Sequence, residues 1–84
     1  MFTTYILRSL KTNRYYIGCT NNIEERIKKH NGKGVLSTKA YTPWVIEYKE
    51  EYLLLSEARK REKQIKSWKK RKAIENLISN APVV

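Results

Sequence analysis

The sequence predicts a small α/β (α+β) domain in which helices pack on a three-stranded antiparallel sheet, in the order β-β-α-β-α-α. Three observations support this fold class: two neighbouring β-prone segments joined by turn residues, a third such segment later, and three stretches with helical spacing of apolar residues. The 84 residues, 40% of them hydrophobic, are enough for one modest core. We therefore expect a single domain over residues 1–80 and a frayed tail over 81–84.

The first two strands are predicted at residues 2–8 (FTTYILR) and 14–20 (RYYIGCT), which are rich in β-branched and aromatic residues. Turn-forming residues 10–13 join them so closely that the strands should form an antiparallel hairpin. An even loop, or a bulge that shifts the register, would place the side chains of Tyr5 and Tyr16 on the same face of that hairpin. We predict that their hydroxyls share this face and lie within reach of Arg26. Each tyrosine taken alone is equally consistent with a half-buried strand aromatic.

The first helix is predicted to begin at Asn21, whose side chain can cap it while Glu24 reaches back from three residues later. Residues 31–34 (NGKG) should end it. Its inward face is expected to carry Ile23, Ile27 and His30.

A third strand and two more helices follow. The strand is predicted at 44–52, with one side formed by Trp44, Ile46 and Tyr48. Ser56 is expected to cap a second helix that ends near Trp68. The third helix should run from about Lys70 to Ser79 and bury Ile74, Leu77 and Ile78.

The charge of the chain points to polyanionic partners. Eighteen Lys and Arg against eight Asp and Glu give a net charge of +10, which favours nucleic acid. A membrane partner is not expected, because the sequence has no long apolar stretch. The absence of a secretory signal at the start and the presence of a single cysteine, Cys19, favour a reducing cytoplasm.

Glu62 breaks the apolar stripe of the second predicted helix. A carboxylate at such a position is costly unless it is paired or binds a cation. Spacing alone favours an ion pair between Glu62 and Lys66, at i and i+4, over a metal ligand.

Arg26 and His30 share one face of the first helix, because they are also four residues apart. On spacing alone they are a surface arginine and a partly buried packing histidine. Gly18 would weaken its strand unless a bulge or a close backbone approach requires it. A nucleophilic pair of Cys19 and His30 lacks an obvious orienting third group.

The segment 58–72 carries nine of the basic residues. Such a run is usually a solvated helix face, but with this net charge and Trp68 in its midst it also suggests a phosphate-binding stripe. Lys66 and Lys69 are the predicted nucleic-acid contacts. One Cys and one His cannot form a zinc site, and no Walker-type glycine loop is present.

Five features of the sequence follow one another along the chain: TTYIL at 3–7, YYIG at 15–18, Arg26, His30 and Glu62. In this order they resemble the motifs of the GIY-YIG nuclease superfamily. The segment SEARKREKQIKSWKKRK also resembles the second helix of the family's small single-domain bacterial members. These members are related to the N-terminal nuclease domain of the excinuclease of nucleotide excision repair. The likeness covers nearly the whole chain.

The resemblance implies a phosphodiesterase with a single divalent metal, Mg²⁺ or Mn²⁺. It implies that Tyr5, Tyr16, Arg26 and His30 are catalytic, that Gly18 is structural at the site, and that Glu62 binds the metal. The residue types suit this chemistry, because one carboxylate suffices for Mg²⁺ bound to phosphate, and arginine stabilises charge on phosphate. Tyr5 would act as a base where its neighbours favour the phenolate.

Some positions depart from the family pattern. The first motif reads Thr3-Thr4-Tyr5, without its glycine and isoleucine, and Cys19 stands where lysine is frequent. The family's late asparagine has no secure match, although Asn76 and Asn80 are nearby.

We therefore expect a cytoplasmic endonuclease that acts on DNA, structure-directed or weakly specific, with branched or nicked DNA and RNA left open as substrates. The alternative is a nucleic-acid-binding module that keeps the fold but cleaves little. A basic interaction protein, such as a ribosome-associated factor, is supported by charge alone.

Overall fold

A computed structural model describes residues 1–32 and 34–80 of the chain, so the predicted frayed tail at 81–84 lies outside the described residues. The predicted order of elements is confirmed. The elements are β1 (Phe2–Ser9), β2 (Tyr15–Thr20), α1 (Ile23–Asn31), a turn of 3-10 helix (Lys39–Tyr41), β3 (Trp44–Tyr52), α2 (Leu55–Ser67) and α3 (Arg71–Ser79). None of the helices described is long and apolar enough to span a bilayer.

The sheet has the strand order β2-β1-β3, and both pairings are antiparallel. The first strand in the chain is therefore the central one. Residues 3–7 of β1 are all buried, because helices cover both faces of the sheet. This explains why β1 reads as a continuous run of Thr, Tyr, Ile and Leu rather than as an alternation with polar residues.

Two small cores lie on opposite faces of the sheet. The core beneath α1 is formed by Tyr5, Leu7, Ile23 and Trp44. The core beneath α2 and α3 is formed by Ile6, Ile17, Ile65 and Ile74. Residues of β1 alternate between the two cores, so this strand holds both helical layers in place.

The third strand contains a bulge that the sequence pattern does not reveal. The pairing register of β1 with β3 shifts between Ile6 and Leu7, which leaves Glu47 as an extra residue in β3. Tyr48 consequently packs in the core beneath α2 and α3, whereas Trp44 packs beneath α1. The prediction that these two residues share a side is wrong, because the bulge reverses the alternation between them.

The helix starts differ slightly from those predicted. The capping side chain of α1 is Asn22, which accepts a hydrogen bond from the backbone N–H of Glu25 at 3.2 Å. The pair expected from the sequence, Asn21 and Glu24, is thus one position too early. The α2 helix begins one residue before Ser56, so this serine lies in the first turn and does not cap the helix.

Candidate active site

The pairing register of the first hairpin places two tyrosines side by side. Tyr5 pairs with Gly18, and Leu7 pairs with Tyr16. The backbone N–H of Ser9 donates to the carbonyl oxygen of Arg14 at 2.8 Å, which closes an even loop of residues 10–13. The two tyrosines are therefore diagonal neighbours on the face that α1 covers, with ring centroids 6.4 Å apart. The predicted shared face is confirmed.

Gly18 provides the space that the Tyr5 side chain occupies. A Cβ atom at position 18 would lie 2.5 Å from the Tyr5 hydroxyl oxygen and 2.7 Å from the ring carbon that carries it. The backbone at Gly18 does not have a positive φ angle, so this glycine is needed for space rather than for conformation. It allows the phenol to lie flat across the edge strand β2.

Replacing Gly18 by alanine is expected to displace the Tyr5 hydroxyl and to destabilise the fold by about 1–3 kcal/mol through overpacking. The free energy of unfolding, measured by urea denaturation, checks this. Gly34→Ala is the matched control, because its Cβ would meet its nearest neighbour at an ordinary 3.5 Å. Tyr5→Phe should relieve part of the cost in a double-mutant cycle, and additive effects would contradict the proposed clash.

The Tyr5 hydroxyl lies between two nitrogen atoms of α1 side chains. It is 3.2 Å from Nε2 of His30, and Nε of Arg26 donates to it at 3.4 Å. Burial raises the pKa of Tyr5, and the hydrogen bond and charge of Arg26 oppose this rise only in part. The hydroxyl is therefore protonated at neutral pH.

His30 is fixed in one orientation by a residue that sequence patterns did not identify. Its Nδ1 lies 2.8 Å from the hydroxyl of Thr38, which in turn donates to the carbonyl oxygen of Val35 at 3.3 Å. Because this hydroxyl has one proton, it accepts from Nδ1–H, and the network assigns Nε2 of His30 as the acceptor for the Tyr5 proton. The indole N–H of Trp44 donates to the Thr38 carbonyl and holds the loop in place.

His30 should make the stability of the protein depend on pH. Burial, and then the charge of Arg26, lower the pKa of His30 from 6.5 to about 4. Between these pH values the unfolded chain binds more protons than the folded one. The contribution of His30 to the free energy of unfolding is therefore fully present above pH 6.5 and is lost as the pH drops towards 4. The expected loss is about 3 kcal/mol.

Urea denaturation of wild type and His30→Gln across this pH range measures the effect. The variant should lose this part of the pH dependence but keep the losses that other groups cause at lower pH. If the free energy of unfolding changed with pH equally in both proteins, a buried neutral histidine would be contradicted. The ¹⁵N chemical shifts of the imidazole should show a proton on Nδ1 and none on Nε2.

Arg26 also faces an open cleft of about 220 Å³ beside the start of α1. Asn22, Lys29 and the acidic Glu25 are among the residues that line this cleft. The hydrogen bond to the Tyr5 hydroxyl raises the pKa of Arg26, so its guanidinium is charged at any working pH. The cleft gives a phosphate access to this cation.

Glu62 approaches the same hairpin from the opposite face of the sheet. Burial, and next the Glu62 carboxylate, raise the pKa of the Cys19 thiol in β2. The same carboxylate is the smallest contributor to the raised pKa of Tyr5, after burial and Tyr16. The ion pair expected from spacing is present, with Lys66 Nζ 2.6 Å from Glu62 Oε2.

The donor set around Glu62 fits one class of metal. No group of three or more His, Cys, Asp and Glu that could hold a metal ion occurs among the described residues, which does not suit a tetrahedral zinc centre. Mg²⁺ commonly keeps several waters and binds through one or two carboxylates plus phosphate oxygens. A single carboxylate such as Glu62, which is now paired with Lys66, is a donor that suits Mg²⁺ or Mn²⁺.

Lys66 and Lys69 lie away from Tyr5 and Tyr16, in an open groove between β2 and the junction of α2 with α3. Arg14 and Arg71 also line this groove, although sequence reasoning did not select them. The segments that form it are distant in the sequence, so no local pattern identifies it. The same is true of Thr38, which lies in a loop without periodicity.

Comparison with known proteins gives a consistent assignment. A profile of the GIY-YIG catalytic domain matches residues 1–76. UPF0213 protein SH2523 of Staphylococcus haemolyticus is 41% identical over 71 residues, covering 83% of this chain and 85% of the relative. UPF0213 protein SSP2268 of Staphylococcus saprophyticus is 39% identical over the same share of both chains.

The solution NMR structure of UPF0213 protein BH0048 from Bacillus halodurans is similar to this chain with a TM-score of 0.59 and 32% identity. The match covers 94% of this chain and 84% of that one. The matched range, residues 1–76, spans the hairpin, α1 and α2, the elements that carry the side chains described above. With profile, relatives and fold in agreement, the chain belongs to the GIY-YIG family, a family of nucleases.

Proposed function

We propose that this protein is a divalent-metal-dependent endonuclease that hydrolyses phosphodiester bonds of DNA. The observation that carries the proposal is the Tyr5 hydroxyl, held between Nε2 of His30 and Nε of Arg26, because Arg26 in turn lines an open polar cleft. A buried phenol in contact with a neutral imidazole and a guanidinium suits proton transfer beside a phosphate.

In the proposed reaction a water attacks the phosphorus atom and passes its proton to the Tyr5 oxygen, while Tyr5 passes its own proton to Nε2 of His30. The bond from phosphorus to the leaving oxygen breaks, and this oxygen takes a proton from solvent. Arg26 stabilises the negative charge that develops on the phosphate. A divalent cation held by Glu62 would supply Lewis-acid polarisation of the phosphate.

Tyr16 supports this arrangement through packing. Its ring lies edge-on to the His30 ring, with centroids 4.8 Å apart, and it also contacts Trp44. The Tyr16 hydroxyl adds to the raised pKa of Arg26, after the hydrogen bond that Arg26 donates to Tyr5 and the opposing effect of burial. We propose that it helps to orient both α1 side chains.

The net charge of +10 and the lysines of the groove support a DNA substrate bound through its phosphates, with Lys66 and Lys69 as contacts. We propose a cytoplasmic protein that acts in a structure-directed or weakly specific manner, with branched or nicked DNA and a role in DNA repair as the working hypothesis. The second candidate, a binding module that cleaves little, is favoured by the ion pair of Glu62 with Lys66.

Cleavage of supercoiled plasmid and of branched or nicked DNA tests the proposal. Wild type should nick DNA with Mg²⁺ or Mn²⁺ but not with EDTA, and Tyr5→Phe should lose this activity. Tyr52→Phe is the matched control, since it removes a hydroxyl that bonds to Glu50 away from the site. Equal activity in all three proteins would indicate a contaminating nuclease and support the binding module.

A further inference from the structure

The groove between β2 and the α2–α3 junction combines features that a phosphate-binding surface alone does not need. Its volume is about 320 Å³, and its floor is apolar, formed by Ile17, Ile65 and Ile74. Basic residues surround this floor, and none of the lining residues described is acidic. They are Arg14, Lys66, Lys69, Lys70 and Arg71.

One wall of the groove is a planar stack. The guanidinium of Arg71 lies over the Tyr15 ring, 4.3 Å from its centroid. Nη1 of Arg71 donates to the carbonyl oxygen of Asn13, and Glu75 lies 3.5 Å from Nε, so the guanidinium is held in this orientation. Nucleic-acid bases stack on aromatic rings and on arginine planes.

The groove also leads to the candidate active site. Lys66 lines it and at the same time contacts the Glu62 carboxylate. An occupant of the groove would therefore lie next to the proposed metal-binding residue. Such an occupant must be anionic at its rim, because five cations surround the opening, and must present a flat apolar face to the floor.

We propose that this groove binds an unpaired nucleotide of the nucleic-acid substrate. Its base would lie on the isoleucine floor and extend the stack of Tyr15 and Arg71, and its phosphates would contact the lysines. Within a base-paired duplex the base faces are buried by stacking and only the base edges and the backbone are exposed, so a duplex would gain little from an apolar floor. The inference rests on the proposed nucleic-acid substrate but does not require that the substrate be cleaved.

Binding without metal ions tests the inference separately from catalysis. Fluorescence anisotropy in EDTA compares a blunt duplex with a DNA of equal phosphate number that carries a three-nucleotide single-stranded overhang. Wild type should bind the overhang DNA about tenfold more tightly, as expected for stacking of one base. Tyr15→Leu, which keeps an apolar side chain but removes the ring, should lose this preference while still binding the blunt duplex.

Lys72→Ala is the matched control, because it removes one charge from the exposed surface of α3 outside the groove. It should weaken binding of both DNAs alike and preserve the preference. Equal affinity of wild type for the two DNAs, or a preference that survives in Tyr15→Leu, would overturn the inference.

A measurement on the unaltered protein complements the variants. Titration of trithymidylate into ¹⁵N-labelled wild type should shift the amide signals of Ile17 and Ile74. Shifts confined to other regions, or none, would also overturn the inference. Absence of DNA cleavage, by contrast, would count against the proposed function, but the result of this binding test could still be interpreted.

Discussion

Replacing Glu62 by glutamine is expected to reduce DNA cleavage roughly a hundredfold or more, while folding and DNA binding persist. Glutamine keeps the shape of the side chain but removes the charge that a divalent cation needs. The ion pair with Lys66 is partly exposed, with half of the lysine side chain accessible, so its loss should cost only about 0–1 kcal/mol. Binding can even tighten, because a carboxylate near phosphate is neutralised.

Two matched variants separate metal binding from the ion pair. Glu57→Gln makes the same charge change in the first turn of α2 and should retain activity. Lys66→Gln breaks the ion pair without altering the carboxylate. Mn²⁺-induced broadening of the Cys19 amide signal should therefore persist in Lys66→Gln and vanish in Glu62→Gln. Full activity of Glu62→Gln would refute the metal-binding role.

Arg26→Ala should reduce cleavage by about 10²–10³-fold, as expected when a group that stabilises transition-state charge is removed. Its defect should differ in kind from that of Glu62→Gln: raising the Mn²⁺ concentration should restore part of the activity in the glutamine variant but none in Arg26→Ala. Arg26→Lys should remain strongly impaired, because lysine cannot present a planar guanidinium to both Tyr5 and a phosphate.

Lys28→Ala is the control for this experiment, since Lys28 is an exposed cation on the same helix. It should lower nonspecific DNA affinity slightly without changing the cleavage rate at saturating protein. A loss in Lys28→Ala as large as that in Arg26→Ala would show that the effect reflects net charge rather than the position of the guanidinium.

Much of the site was predictable because it depends on local rules. The β-prone segments and the short connection between them determine the hairpin, and an even loop then places Tyr5 and Tyr16 on one face. Helical spacing places Arg26 and His30 together, and both contact the Tyr5 hydroxyl. Glu62 appeared as a break in an apolar stripe, and only the family resemblance favoured the metal role over the ion pair.

The features that were missed depend on tertiary structure. The bulge at Glu47, which moves Tyr48 to the other face, arises from pairing with a strand far away in the sequence. Thr38 contacts His30 only because its loop folds back over α1. The groove likewise brings Tyr15 and Arg71 together from opposite ends of the chain. No periodicity in the sequence reports such contacts.

The central position of β1 has a consequence for synthesis on the ribosome. β1 is translated before β2 and β3, but it pairs with both of them, so the edge of β1 that pairs with β3 stays open until β3 has been translated. The hairpin of β1 and β2 has apolar residues on both faces, and one of these faces becomes buried only when α2 and α3 pack on it. A nascent chain that stops before β3 would therefore expose unpaired backbone and apolar side chains. Folding is expected to become cooperative only after α2 leaves the exit tunnel, because α2 supplies Ile65 to the second core.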